Sequence, residues 1–336
     1  MRRRRWWIAG ASVAATLLVG GVASANSWHR PTPRADATWL GHATGPAHAV
    51  APHPTKPGST SPSPAPTVSA SPISTPSEHP TTPGSTPGSP GDPAATGTKT
   101  VTAPPVAGRF DYQIGGAYAP DASVRIVSRD RTDPAVPGVY SICYVNAFQT
   151  QPGEEQADAP LLLHDASGNR VKDEDWGEYL FDTRTAVARA TLLATVGPWI
   201  DGCARSGYSG VEFDNFDSWD RSDGLISVQN NLDAAKLLID RAHADGLAAG
   251  QKNGAEVAEQ GKALGFDFAI AEQCQQYSEC DAYAAVYGGH LIEIEYTDNA
   301  FTTACAARAA NASVLRRDVD VTPKGSSGYI SRWCAQ

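Results

Sequence analysis

Short apolar runs alternate with amphipathic stretches through most of the chain after residue 108. Eight of these runs have the length and apolar character of strands, and the run over 139–148 is strongly β-branched and aromatic. They cover residues 110–114, 124–128, 139–148, 208–216, 247–253, 266–274, 290–296 and 313–321. Apolar residues recur at helical spacing in 182–207, 230–246 and 304–310. Strands alternating with helices predict a (β/α)8 barrel of the TIM type, and a doubly wound sheet is the alternative.

The first residues follow a different pattern. Arg2 to Arg5 precede an uncharged apolar run over residues 6–25, which ends in Ala23-Ser24-Ala25. A basic start, an apolar stretch and small residues at its end predict an export signal. The run is also long enough for an uncleaved membrane anchor, so possible membrane attachment through residues 6–25 stays open. In either case we expect a secreted or extracellular cell-surface protein.

A proline-rich region separates this signal from the alternating pattern. Sixteen of the 25 prolines fall between Pro46 and Pro105, among serine, threonine and glycine. Such a segment has too little apolar surface to offset the entropy that ordering costs. We therefore expect residues 26–108 to be a disordered spacer, and residues 109–336 to form one folded domain.

All six cysteines lie in the predicted folded domain. An even number of cysteines in an exported chain predicts disulfides. Cys274 and Cys280 would close a short loop, Cys305 and Cys334 would pin the carboxy terminus, and Cys143 and Cys203 are left as the third pair. No C-x-x-C pair is present, so the cysteines do not favour a zinc site.

The charge of the chain limits the partners to expect. The formal net charge is −9 at pH 7, and four of the arginines belong to the predicted signal. Proteins that bind nucleic acid present an excess of positive charge to the phosphates. We therefore expect no nucleic-acid partner, and we expect the chain to be a monomer.

Polar side chains gather where the predicted strands end. In a barrel of parallel strands, all carboxyl ends open on one face, and that face holds the active site. Residues scattered through the sequence would therefore meet in one acidic, amide-rich cup. The candidates are Asp130, Tyr144, Asp214, Asn215, Lys252, Asn253, Glu272, Glu295 and Tyr296.

Two carboxylates that face a bound sugar acetal match the chemistry of glycoside hydrolysis. One must carry a proton for the leaving oxygen, and the other must be ionised to attack carbon or to activate water. We assign the ionised role to Asp214 and the acid role to Glu272; the reverse assignment stays open, as does the choice between a retaining and an inverting reaction. Lys252 can keep Asp214 ionised, or it can merely neutralise a buried acid.

Two further candidates, Trp219 and Asp217, and the candidate Glu295 each have a second interpretation. Trp219 can offer an apolar face to a sugar ring, or it can cover the core. Asp217 can line the site or cap a helix. Glu295 alternates with apolar residues, so it can also be an ordinary outward charge. Acids spaced by three residues after Asp214 do not match the spacing of a calcium loop, and we expect no metal.

Six motifs together resemble glycoside hydrolase family 114, the endo-α-1,4-polygalactosaminidases and their spherulin-like relatives. The motifs are SICYVNAF (141–148), WGEYLFDTR (176–184), GVEFDNFDSW (210–219), QKNG (251–254), AEQCQQYSEC (271–280) and IEIEY (292–296). The resemblance implies a TIM barrel without metal or other cofactor that acts on α-1,4-linked galactosamine or N-acetylgalactosamine polymers. It implies that Asp214 and Glu272 are the acid pair. It also implies that five other residues line the site: Asp130, Tyr144, Asn215, Lys252 and Asn253.

Two other functional classes remain as alternatives. The first is a carbohydrate-binding protein of the cell surface that has the cup without turnover. The second is a hydrolase of another ester or amide, which the absence of a G-x-S-x-G motif disfavours.

Overall fold

The computed structural model describes residues 99–151 and 159–335. The predicted export signal and residues 26–98 of the predicted spacer lie outside the described residues. The strands of the described part are β1 (Phe110–Tyr112), β2 (Ile126–Asp130), β3 (Tyr140–Asn146), β4 (Lys172–Asp173), β5 (Glu178–Tyr179), β6 (Gly210–Asp214), β7 (Ala248–Lys252), β8 (Phe268–Glu272), β9 (Leu291–Glu295), β10 (Ser313–Arg317) and β11 (Ser331–Trp333). The helices are α1 (Ala186–Arg205), α2 (Val228–Ala244), α3 (Ala258–Leu264), α4 (Cys274–Tyr277), α5 (Cys280–Tyr287) and α6 (Asp298–Arg308).

Eight parallel strands form one sheet in the order β1-β2-β3-β6-β7-β8-β9-β10, and β11 pairs antiparallel with β10. These eight are the predicted strands; β2 has the predicted length but lies two residues later than its run, and the other seven are shorter than their runs. Side chains from β10 and β11 reach β1: Arg317 Nε donates to the Tyr112 carbonyl at 3.0 Å, and Trp333 Nε1 donates to the Phe110 carbonyl at 2.6 Å. The sheet is therefore a nearly closed barrel, which confirms the predicted TIM-type fold over the doubly wound alternative.

The first two connections between barrel strands differ from the regular pattern. Residues 113–125 and 131–139 join β1 to β2 and β2 to β3 as turns and coil. Pro134 and Pro137 lie in the second of these connections, and proline removes a backbone donor that a helix interior needs. The three predicted helices are present as α1, α2 and α6. The long connection from β3 to α1 carries the β4–β5 hairpin instead of a simple loop.

The barrel interior has an apolar lower part and a polar upper part. Phe110, Ile126 and Phe268 belong to the apolar cluster near the amino-terminal ends of the strands. A side chain at Gly250 would collide with Phe268, because its Cβ would lie 2.5 Å from the ring. Glycine on β7 therefore leaves room for the phenyl ring. A second core fills the layer between the outside of the sheet and the helices.

Residues 99–107 cross the amino-terminal face of the barrel. Lys99 lies 3.6 Å from Asp245 before β7, the hydroxyl of Tyr140 donates to the Thr102 carbonyl at 2.7 Å, and His290 lies 2.9 Å from the Pro104 carbonyl before β9. Val101 packs against the interior apolar cluster. The packed chain therefore starts before Arg109, the predicted boundary, because this short segment covers the lower opening of the barrel.

All three predicted disulfides are present. Cys143–Cys203 joins β3 to α1, Cys274–Cys280 joins α4 to α5, and Cys305–Cys334 ties α6 to the end of the described chain. The pairing predicted for Cys274–Cys280 and Cys305–Cys334, and by elimination for Cys143–Cys203, is confirmed. Within residues 99–151 and 159–335, no helix is both long and apolar enough to span a membrane.

Candidate active site

The ammonium of Lys252 occupies the centre of the polar upper part of the barrel. Lys252 ends β7, and its side chain is 2% exposed. Its Nζ lies 2.9 Å from Asp214 Oδ1, 3.0 Å from Glu212 Oε1 and 3.6 Å from Glu272 Oε2. Burial alone would lower the pKa of Lys252, but the surrounding acids, first Asp214 and Glu272, raise it well above its ordinary value. Lys252 is therefore a charged ammonium held by three carboxylates.

Asp214 stands at the end of β6 with both carboxylate oxygens engaged. Lys252 donates to Oδ1, and the Tyr144 hydroxyl donates to Oδ2 at 2.5 Å. The side-chain amide of Asn215 adds a longer contact to Oδ2 at 3.4 Å. Burial opposes the charge, but Lys252 and the Tyr144 hydrogen bond outweigh it, so the pKa of Asp214 lies below its ordinary value. The side chain is 16% exposed, so an ionised carboxylate remains reachable from the cup.

Glu272 ends β8 and faces the same ammonium from the other side. Its side chain is 20% exposed, and its Oε1 accepts a hydrogen bond from the hydroxyl of Tyr296. The Lys252 ammonium is 0.7 Å closer to Asp214 than to Glu272, as the distances of 2.9 and 3.6 Å show. The two carboxylates thus share one cation unequally.

Three successive strands end with the same backbone feature. Asn215, Asn253 and Gln273 each follow the last residue of a barrel strand, and each has a left-handed backbone with φ of 59°, 54° and 58°. Asparagine tolerates this conformation better than most residues. Asn253 also accepts the backbone N–H of Glu272 on its side-chain oxygen at 2.9 Å. Asn253 therefore fixes the end of β8 through its side-chain oxygen.

A hydrogen-bonded rim surrounds the β3–β6 side of the cup. Asn146 accepts from the Asn215 amide at 2.9 Å and donates to Glu178 Oε2 at 3.1 Å. Glu178 belongs to β5, so the hairpin brings another carboxylate to the rim. Arg221 donates to Asn215 at 3.0 Å and to Asp217 at 2.8 Å. Asp217 is thus an ion-pair partner of Arg221 at the rim.

Asp130 lies at the end of β2 and is buried. One carboxylate oxygen accepts from the backbone and hydroxyl of Thr132, at 2.9 and 2.6 Å. The other accepts from the Gln151 amide at 3.0 Å. These contacts shape the turn after β2 at the edge of the candidate site.

The structure does not bring Trp219 and Glu295 to the cup. Trp219 packs edge-on against Phe216, with ring centroids 5.2 Å apart, in the core between sheet and helices. The sugar-facing interpretation of Trp219 is therefore wrong, because the indole turns away from the barrel axis. Glu295 is on the outer side of β9, where it accepts the backbone N–H of Gln275 at 2.8 Å. Burial raises the pKa of Glu295 to about 7.

The described residues contain one cluster with the side chains of a metal site. It comprises Cys274, Cys280 and Glu295, whose ligand atoms lie within 4.8 Å of one another. Both sulfurs belong to a disulfide, so they cannot act as thiolate ligands.

Sequence reasoning missed two residues deep in the cup. Glu212 on β6 is fully buried, and its oxygens accept from Tyr112 at 2.9 Å and from Ser128 at 2.8 Å. Tyr112 also accepts from Lys252 at 3.0 Å. The sequence feature that points to Glu212 is its i, i+2 spacing from Asp214, which places both side chains on the same face of a strand.

Comparisons with known proteins agree with the motifs. The model of glycoside-hydrolase family GH114 matches residues 91–336, which confirms the resemblance seen in the sequence. The chain is similar to Aspergillus fumigatus Ega3, solved in complex with galactosamine, with 22% identity, a TM-score of 0.57, and coverage of 71% of this chain and 100% of that one. It is also similar to the glycoside hydrolase domain of PelA from Pseudomonas aeruginosa, with 16% identity, a TM-score of 0.46, and coverage of 65% and 97%. No curated protein matches the chain. A family match over most of the length, on a barrel whose strand ends gather carboxylates, makes this chain a glycoside hydrolase of family 114.

Proposed function

We propose that the protein is an exported glycoside hydrolase that cleaves α-1,4-linked galactosamine or N-acetylgalactosamine polysaccharide with Asp214 and Glu272. The observation that carries the proposal is the unequal sharing of Lys252 by these two carboxylates. A hydrolase of this kind needs one ionised and one protonated carboxyl group. The closer ammonium favours Asp214 as the ionised group and leaves Glu272 to carry the proton.

The roles follow from these contacts. Asp214 attacks the anomeric carbon while Glu272 delivers a proton to the leaving oxygen, and Glu272 then takes a proton from the water that releases the sugar. Tyr296 occupies Oε1 of Glu272, so Oε2 is the oxygen that carries the proton. Tyr144 and Lys252 hold Asp214 ionised before the sugar arrives.

The separation of the two carboxylates supports retention of configuration. Asp214 Oδ1 and Glu272 Oε2 lie 2.9 and 3.6 Å from the same nitrogen, so they are at most about 6.5 Å apart, the sum of these distances. Retaining enzymes hold their carboxyl groups about 5–5.5 Å apart, whereas inverting enzymes leave about 6.5–9.5 Å for a water molecule. The largest possible separation of the two oxygens therefore equals the smallest separation found in inverting enzymes, about 6.5 Å.

The choice of sugar rests on the acidity of the cup and on the relatives. Glu212, Asp214 and Glu272 surround the Lys252 ammonium, and Glu178 adds a carboxylate at the rim. An excess of negative charge attracts a substrate that carries protonated amines. Ega3, which shares the fold, was solved with galactosamine. Export is supported by the basic and apolar start of the chain and by three disulfides, which persist in oxidising compartments.

The test is the release of new reducing ends from α-1,4-galactosaminan, in de-N-acetylated and fully acetylated forms. The wild type should cleave, and Asp214→Asn and Glu272→Gln should each lose at least about 1,000-fold in kcat, because each removes a group that reacts. The surface variant Asp240→Asn, which alters only an exposed pair with Lys236, is the matched control. Binding without new ends would favour a carbohydrate-binding protein, and full activity of Asp214→Asn would refute the assignment.

A further inference from the structure

We propose that Glu212 is a positioning residue, which holds Lys252 on Asp214 and away from Glu272. The inference rests on the proposed function, because it explains how two carboxylates on one cation acquire different roles. Glu212 lies one inward position below Asp214 on β6 and is fully buried, so it does not reach a bound sugar. It can act only through the residues that it contacts.

The hydrogen bonds of Lys252 account for all of its donors. An ammonium has three N–H groups. Lys252 Nζ donates to Tyr112 Oη at 3.0 Å, to Glu212 Oε1 at 3.0 Å and to Asp214 Oδ1 at 2.9 Å. Glu272 Oε2, at 3.6 Å, lies beyond hydrogen-bonding distance. Two of the three acceptors are thus below the reacting carboxylates, and they fix where the ammonium sits.

Glu212 is itself held in place by its neighbours. Tyr112 and Lys252 both donate to Oε1, and Ser128 donates to Oε2 at 2.8 Å. Three donors around one carboxyl group match an ionised carboxylate, which has only acceptors. Burial raises the pKa of Glu212, while the Lys252 charge opposes this rise. The buried ion pair between Glu212 and Lys252 therefore keeps both side chains charged below the reacting carboxylates.

Loss of the Glu212 charge would change how the Lys252 ammonium is shared between Asp214 and Glu272. The ammonium would then keep only the neutral Tyr112 hydroxyl as a partner below it, and the charge of Glu272 would draw it out of its present position. A cation closer to Glu272 favours its ionised form, and an ionised carboxylate cannot donate the proton that the leaving oxygen needs. Glu212 thereby protects the acid role of a residue that it does not touch.

Other charged and titratable groups face the same space from the neighbouring strands. Tyr112 comes from β1, Tyr144 from β3, Glu178 from β5, Asp214 from β6 and Tyr296 from the end of β9. Each of these residues is still present when only Glu212 is replaced, and of the five only Tyr112 hydrogen-bonds to Glu212 directly. A shift in pH dependence of the Glu212 variant would therefore report the loss of its charge.

The test compares Glu212→Gln with the wild type on de-N-acetylated galactosaminan and on an aryl galactosaminide with a good leaving group. We expect kcat on the polymer to fall about 100-fold, as a misplaced reacting group does. The alkaline limb of the pH profile should move to lower pH, because a cation stabilises the ionised form of the acid. The aryl substrate should lose much less, because its departure needs no proton. Tyr112→Phe, which removes one anchor of Lys252, should shift the limb in the same direction by a smaller amount.

The matched control is Glu293→Gln on the outer side of β9. Glu293 is also fully buried in an ion pair, 2.5 Å from Arg308 Nε, but it faces away from the cup. The pH profile of Glu293→Gln should have the same alkaline limb as that of the wild type. Crystal structures of Glu212→Gln and Tyr112→Phe give a measurement that needs no turnover: Lys252 Nζ should move from Asp214 towards Glu272. An unchanged limb, or an ammonium still on Asp214, overturns the inference. An inactive wild type would refute the proposed function, and the crystal structures would still decide the positioning role.

Discussion

Lys252→Met is the substitution that most directly tests how the candidate site is held together. It keeps a long apolar side chain and removes the charge that buried Glu212 and nearly buried Asp214 share, at 3.0 and 2.9 Å. Breaking a buried ion pair by removing one partner costs about 3–5 kcal/mol. For a domain of this size, each kcal/mol corresponds to about 2–4 °C in Tm. The melting temperature should therefore fall by about 6–20 °C at neutral pH.

The loss should depend on pH in a defined direction. In the wild type, the lowered pKa of Asp214 makes its contribution to stability present at neutral pH and lost as the pH falls through that lowered value. In the variant, burial without a cation raises the pKa of both carboxyl groups, so stability is lost as the pH rises through the raised values. The difference in Tm should be greatest near pH 7 and should shrink towards pH 4.

Scanning calorimetry of both proteins between about pH 4 and pH 7.5 measures this difference. Lys236→Met is the matched control, since Lys236 forms an exposed pair with Asp240, and such pairs contribute about 1 kcal/mol or less. A Lys252→Met protein that melts within about 2 °C of the wild type would refute the reasoning. So would a large difference that stays constant across the pH range.

Two further predictions concern the decline of kcat/KM at acidic pH and the segment that covers the amino-terminal face of the barrel. Because the pKa of Asp214 is lowered, kcat/KM should not decline on acidification until the pH is below the ordinary pKa of an aspartate, and a pH profile with an acidic midpoint near pH 6 would contradict this. A chain that starts at Lys99 should melt like the full protein, whereas one that starts at Arg109 loses the packing of Val101 and the contact with Tyr140 and should melt lower in the same calorimetric assay. Equal melting of the two chains would show that the segment adds no stability.

The sequence predicts the barrel well because the strands have a clear sequence pattern. Short apolar runs mark the strands, and a polar pair such as Asp214-Asn215 or Lys252-Asn253 marks the carboxyl ends of several of them. The same pairs predict which side chains meet, since parallel strands open on one face. The left-handed asparagines explain the pairs physically, because each strand must turn sharply just after its functional residue.

The direction of each side chain is harder to predict in a strand that is buried on both faces. Glu293 and Glu295 alternate with Ile292 and Ile294 on β9, and all four are buried. The pattern does not reveal which pair faces the barrel axis, because helices cover the outer face and hide the usual contrast with solvent. Trp219 illustrates the same difficulty beyond a strand end, where the path of the turn decides its direction. Glu212 was overlooked because a single acid inside an apolar run gives no indication of its partners on other strands.

The segment over the amino-terminal face gives the domain a defined point of attachment. Lys99, Thr102 and Pro104 contact the residues that precede or begin β7, β3 and β9, on the side of the barrel opposite to Asp214 and Glu272. A bead or surface linked through the preceding residues therefore meets the domain on its closed side. Immobilised in this way, the hydrolase would present its cup outward, and long polymer chains would reach it without passing the support. An enzyme immobilised through its carboxy terminus, which the Cys305–Cys334 disulfide ties to α6, is the comparison for this assay.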